Sequence, residues 1–196
     1  GAGGMRVHEP EVLARIAGLT HGSGTLLIAD EIATGFGRTG SLFACEQAEV
    51  APDILCLCKA LTAGTLPMAA TMASEAVYAG FLGDDESTAL MHGPTFTGNP
   101  LAAAAANASL DLFESEPRLA QAAALEEQLR AELYPMLDLP GVVDVRVKGA
   151  MGAVQLIDGR YRHEMRDRFV EKGVWIRPLG DIVYVTPPLV MGGEDL

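Results

Sequence analysis

The sequence predicts an α/β fold: a mainly parallel sheet flanked by helices, followed by a smaller α+β unit. Three observations predict it. The short, continuous apolar runs "TLLIAD" and "ILCLC" read as strands covered on both faces. Helical patterns alternate with such runs along the first part of the chain. Near Glu116 the composition shifts to a charged amphipathic helix and then to further short apolar strands.

Taken in order, "PEVLARIAGL" (10–19) carries apolar residues at helical spacing, and Pro10 suits the first turn. "GSG" breaks the chain before "TLLIAD", which ends in Asp30. The stretch "EIATGFGRTGSLFACEQAEVAPD" reads as a Gly-rich loop with a short helix, and "ILCLC" starts after the Pro52-Asp53 turn and runs up to Lys59. "MAATMAS" is a third strand, preceding a short helix near Ser74 to Phe81. Asn99 as N-cap and Pro100 as first helical residue then open a long helix through a run of alanines, the residue of highest helix propensity.

A second helix, "EPRLAQAAALEEQLRAELYPML", is opened by Pro117 and has one charged face. A domain boundary is expected near Glu116, with residues 1–116 in a partial large α/β domain and 117–196 in a small, truncated α+β domain. The small domain comprises "VVDVRVKG", "GAVQLI", a helix around "YRHEMRDRFVEK" stopped by Gly173, and then "VWIRP" and "IVYVTPP". The glycine-rich start and the ending "VMGGEDL" lead us to expect a piece of a longer protein.

Composition narrows the function classes. With 49% apolar and 20% charged residues the chain should fold as a soluble globular protein. A net charge of −12 without a basic stripe argues against nucleic acid or an anionic membrane as partner. No apolar run reaches the length of a membrane span, and the first residues lack the regions of a signal peptide, so a cytoplasmic location is expected. Cys45, Cys56 and Cys58 are too few and odd in number for a disulfide framework, which fits a reducing compartment. Cys56 and Cys58 have no second ligand pair and read as small buried hydrophobes, so no metal is expected.

Asp30 and Lys59 emerge at the carboxyl ends of neighbouring strands, the edge at which open α/β sheets bind ligands. A carboxylate and an amine brought together there suit pyridoxal 5'-phosphate, which takes a lysine as Schiff base and an acid beside its pyridinium nitrogen. For the two residues alone, a strand-end ion pair is the plain alternative.

Around them the chain resembles the class III aminotransferases of the fold-type I pyridoxal-phosphate enzymes. "LLIADEIATGFGRTG" and "PDILCLCKALTAG" are similar to two central motifs of that family, in order, and "MHGPTFTGNPLAAAAANASL" is similar to a third. With "GVWIRP" and "VYVTPP", the resemblance extends from Gly1 to about Val190. It implies a homodimer with sites shared between subunits, of which this chain is the C-terminal half. The nearest branch transfers an amino group from S-adenosylmethionine to 8-amino-7-oxononanoate in biotin synthesis. An aminotransferase of ornithine derivatives or ω-amino acids, and a non-catalytic fragment or half of a split enzyme, stay open beside it.

Position by position, the resemblance implies Lys59 as the catalytic Schiff-base lysine, Asp30 as partner of the pyridine nitrogen and Ile32 against one face of the ring. Pro94 and Thr95 would hold the phosphate of the neighbouring subunit's cofactor, and Gly93 would lie against substrate. Arg177, expected on a stiff strand before Pro178, would hold the substrate carboxylate through its planar fork of donors. Arg38 is expected in a structural pairing, and His92 has no catalytic role. Two positions depart from the family pattern: Cys58 stands where glycine is usual, and "TAG" where "TGG" is common.

Overall fold

A computed structural model describes residues 3–196, which divide into two compact units. The first comprises His8–Phe36 and Phe43–Pro117; the second comprises residues 3–7, Gly37–Leu42 and Arg118–Leu196.

In the first unit, helix α1 (Pro10–Gly22) starts with Pro10 in its first turn and turns Ala17 inward. Strands β1 (Ile28–Asp30), β2 (Ile54–Leu57) and β3 (Ala70–Ala73) form one sheet in that order. β1 and β2 are parallel, with Ile28 opposite Ile54 and Asp30 opposite Cys56. β2 and β3 are antiparallel, with Leu57 opposite Ala70. The sheet among the described residues is therefore mixed rather than mainly parallel. The connection from β1 to β2, residues 31–53, is long enough for a parallel crossover and contains a 3₁₀ turn, Ala44–Ala48, whereas the shorter segment 58–69 returns antiparallel. Nor do the described residues cover β1 on both faces, since Leu26 and Ile28 are both more than half exposed.

Helix α2 (Glu75–Ala79) is capped by Ser74, whose Oγ accepts the Val77 N–H at 3.4 Å. Helix α3 (Pro100–Ser115) is capped by Asn99, whose Oδ1 accepts the Leu101 N–H at 3.0 Å. Ala102, Ala106 and Ser109 recur at helical spacing on its buried face. They pack α3 against the 3₁₀ turn Lys59–Thr62, and small side chains permit the close approach.

In the second unit, helix α4 (Arg118–Leu133) buries Ala122, Leu125 and Leu129 against an antiparallel sheet of β4 (Val142–Val147), β5 (Gly152–Leu156) and β6 (Ile182–Val185). Helix α5 (Arg162–Glu171) lies between β5 and β6 in the chain, and Gly173 follows it at a φ of 80°. The segment Gly37–Leu42 is stitched to the β4–β5 turn: the Ala150 N–H donates to the Arg38 carbonyl at 3.1 Å. Gly149 completes that junction, because a Cβ there would lie 2.5 Å from the Thr39 carbonyl carbon and 2.6 Å from the Arg38 oxygen.

Candidate active site

The parallel register of β1 and β2 sets the site. Pairing continues one residue past β1, where the Glu31 N–H donates to the Cys56 carbonyl at 3.0 Å. Asp30 and the residues following Leu57 thus leave the sheet at the same edge. The Ile32 N–H donates to Asp30 Oδ1 at 3.0 Å, a local turn that leaves Oδ2 without a partner among the described residues. Both Asp30 and Lys59 are exposed, and Ile32 is half-buried beside them in sequence.

Lys59 opens a 3₁₀ turn with a φ of 25°, outside the ordinary regions for a residue with a side chain. Cys58 before it is half-buried, and its carbonyl accepts the Leu61 N–H at 2.6 Å. The turn is over-determined from within. Thr62 is fully buried and donates to the Leu66 carbonyl, Thr65 Oγ1 donates to the Thr62 carbonyl at 2.7 Å, and Ser109 Oγ of α3 reaches the Ala60 carbonyl at 3.5 Å. Such surroundings hold the strained backbone of Lys59 in place.

Glu31 was not singled out by the sequence, yet it is the buried carboxylate of the site, only 3% exposed. Its Oε1 accepts the Cys45 N–H at 2.8 Å and its Oε2 accepts the Thr34 hydroxyl. Burial, and next the charge of Glu31, push the Cys45 thiol up to about 11. Glu31 thereby ties the loop after β1 to the turn at Cys45. The available signal was a second acid after Asp30 with a hydroxyl three residues on.

His92, Gly93, Pro94 and Thr95 form an exposed loop ahead of α3, in which the Thr97 N–H donates to the Pro94 carbonyl at 2.9 Å. A Cβ at Gly93 would meet nothing within 4 Å, so packing among the described residues does not require glycine there.

In the second unit, Arg177 lies outside any strand, which corrects the expectation of a strand position. Pro178 has no N–H to give to a ladder, and pairing resumes only at the bridge between Leu179 and Ile182. Arg177 is exposed, makes no ion pair or side-chain hydrogen bond among the described residues, and lines a cleft of about 680 Å³. Arg38, in contrast, is structural in its contacts: Nη1 donates to the carbonyls of Ala150 at 3.0 Å and Pro187 at 2.6 Å, and burial pulls its guanidinium below the ordinary value.

The family model for class III aminotransferases matches residues 1–196. The chain belongs to the class III aminotransferases. Among curated members of this family, the adenosylmethionine-8-amino-7-oxononanoate aminotransferase of Corynebacterium glutamicum is 44% identical over 195 residues, covering 100% of this chain and 46% of the relative. The enzyme of that name from Buchnera aphidicola subsp. Schizaphis graminum is 44% identical over 191 residues, covering 97% and 44%. Among solved class III structures, the Methanocaldococcus jannaschii adenosylmethionine-8-amino-7-oxononanoate aminotransferase superposes with a TM-score of 0.94 at 35% identity, covering 100% of this chain and 48% of that one. An amine transaminase from an uncultivated Pseudomonas species, solved in its PLP-bound form, gives 0.93 at 36% identity, covering 99% and 47%. The α/β fold is thus that of known transaminases. The chain spans about half the length of the class III relatives it matches. Among the described residues, no helix is long and apolar enough to cross a membrane.

Proposed function

We propose that the protein carrying this chain is a pyridoxal-phosphate-dependent aminotransferase that converts 8-amino-7-oxononanoate to 7,8-diaminononanoate in biotin synthesis, with S-adenosylmethionine as amino donor. One observation carries the chemistry: an exposed amine on a strained turn and an exposed carboxylate leave adjacent parallel strands at one edge. The substrate assignment draws on the names of the curated relatives, 42–44% identical in the first three.

The residues fit the cofactor. Lys59 offers an amine without a competing ion pair among the described residues, and Asp30 keeps one carboxylate oxygen for a ring N–H. Pyridoxal phosphate, when bound, supplies the electron sink that makes the carbon bearing the amino group acidic. Lys59 then serves as the base that moves the proton at that carbon, and Asp30 keeps the ring nitrogen protonated. Ile32 packs on the ring, and Pro94 and Thr95 bind the phosphate of the neighbouring subunit in a homodimer. Gly93 leaves room for substrate, and Arg177 is assigned to the oxononanoate carboxylate. Residues 1–116 are assigned to the cofactor domain and 117–196 to the small domain. A reducing cytoplasm suits the three free thiols.

Borohydride reduction after addition of pyridoxal phosphate, followed by peptide mapping, tests the cofactor assignment: the label is expected on Lys59 and should vanish in Lys59→Ala. A chain that takes no label alone but does so with its missing half is half of a site. Label in neither case would overturn the reading. A second reading is favoured by the amine transaminase at 36% identity. Assay of the whole protein decides between them, since glutamate or alanine surpassing S-adenosylmethionine as donor would replace the proposed reaction with that of another class III enzyme.

A further inference from the structure

The second unit contains an open cleft of about 680 Å³, within the range of small-molecule sites. Its cation is Arg177, and its walls include Val174, Trp175, Ile176, Tyr184 and Met191. Trp175 stands two residues before Arg177, is 79% exposed and is the only tryptophan of the chain. Its indole belongs to a contiguous apolar lining with Val174, Ile176, Tyr184 and Met191, beside the guanidinium of Arg177. Pro178 disfavours helical backbone at Arg177. The cleft's acid, Asp195, makes no ion pair with Arg177, so the guanidinium stays available for a carboxylate of the ligand.

We infer that Trp175 is a specificity-determining residue: its indole is the apolar wall along which the aliphatic chain of a carboxylate-bearing substrate lies while the carboxylate pairs with Arg177. The inference rests on the reading of Arg177 as a carboxylate site and deepens it. It assigns the preference for a carboxylate carried on many methylenes to a particular side chain. An arginine fork alone binds acetate and nonanoate alike, because it meets only the carboxylate. A flat indole beside it adds a gain that grows with length, about fourfold for each methylene removed from water.

The test uses the single tryptophan as reporter. Acetate, hexanoate and nonanoate are titrated against the chain, with Trp175 fluorescence and calorimetry read in parallel. Nonanoate is expected to shift the emission and bind at least tenfold more tightly than hexanoate, with acetate weakest. Trp175→Ala should abolish the length dependence in calorimetry while retaining weak binding of all three, and Trp175→Phe should retain part of it. Arg177→Gln should weaken all three acids together. Equal affinities for the three acids, or a length dependence that survives in Trp175→Ala, would overturn the inference. Borohydride labelling of Lys59, in the chain alone and with its missing half, separates the two claims: a length dependence with label in neither case leaves Trp175 its role and removes transamination, whereas label without length dependence does the reverse.

Discussion

Glu31 and Cys45 are joined through the backbone and coupled through charge: the buried carboxylate accepts the Cys45 N–H at 2.8 Å and, after burial, is the next cause that raises the thiol of the same residue. The pair fixes the segment leaving β1 next to Asp30. It also sets the protonation of the Cys45 thiol.

The Cys45 thiol, raised from an ordinary 9.0 to about 11, should be slow toward alkylation. At pH 8 its thiolate fraction falls from about one in ten to about one in a thousand, and burial restricts the reagent further. Iodoacetamide followed by mass spectrometry should modify Cys45 at least a hundredfold more slowly in the folded chain than in the urea-unfolded chain. The same shift gives a sign for stability. Because the folded thiol holds its proton to a higher pH than the unfolded one, its contribution is complete below about pH 9 and is lost as pH rises toward 11. Urea midpoints measured from pH 8 to 11 should fall in the native chain and fall less in Cys45→Ala.

Removing the Glu31 carboxylate should be costly, because it orphans the Cys45 N–H and the Thr34 hydroxyl in a buried place. Glu31→Ala is expected to lower stability by about 2–4 kcal/mol, and Glu31→Gln by less, since its amide oxygen still accepts one bond. Chemical denaturation measures both. Equal losses in the two variants would show that burial of the charge, not the lost acceptor, governs the site.

Gly149 is required by space as well as by its φ of 52°. Gly149→Ala would drive a methyl into backbone atoms of Thr39, Arg38 and Gly40, none of which is a flexible side-chain end. A loss of about 2–4 kcal/mol is expected from overpacking and left-handed strain together. Hydrogen exchange should show the Ala150 N–H, bonded to the Arg38 carbonyl, losing protection first.

Local chemistry made some parts of this chain legible in sequence. Asn99-Pro100 marks the start of α3 and Gly173 the end of α5, because caps and left-handed glycines act within a few residues. "TLLIAD" and "ILCLC" read correctly as neighbouring strands, but their apolar runs carry no direction, so the antiparallel return at β3 was not visible. Glu31 was hidden for a related reason: its donors come from Thr34 and from Cys45, fourteen residues on, and only folding brings the latter to it. For Arg177 the flanking apolar residues suggested a strand, and the missing N–H of Pro178 outweighed them.

The last prediction concerns how α3 supports the turn at Lys59. Ala102 and Ala106 are 2% and 6% exposed on the face that meets Lys59–Thr62, and Ser109 Oγ reaches the Ala60 carbonyl from the same face. Ala106→Leu keeps helix propensity nearly constant, so its effect reports packing alone. Three added carbons have no void to fill and must displace the turn, at a cost of about 1–3 kcal/mol. If the strained φ of Lys59 depends on that support, the variant should lose borohydride labelling of Lys59 at cofactor concentrations that saturate the unmodified protein, while its circular dichroism stays unchanged. Ala104→Leu, on the exposed face of α3, is the matched control and should leave both stability and labelling as they are. Full labelling in destabilised Ala106→Leu would mean that hydrogen bonds within the turn, led by Thr62, hold the lysine without the helix.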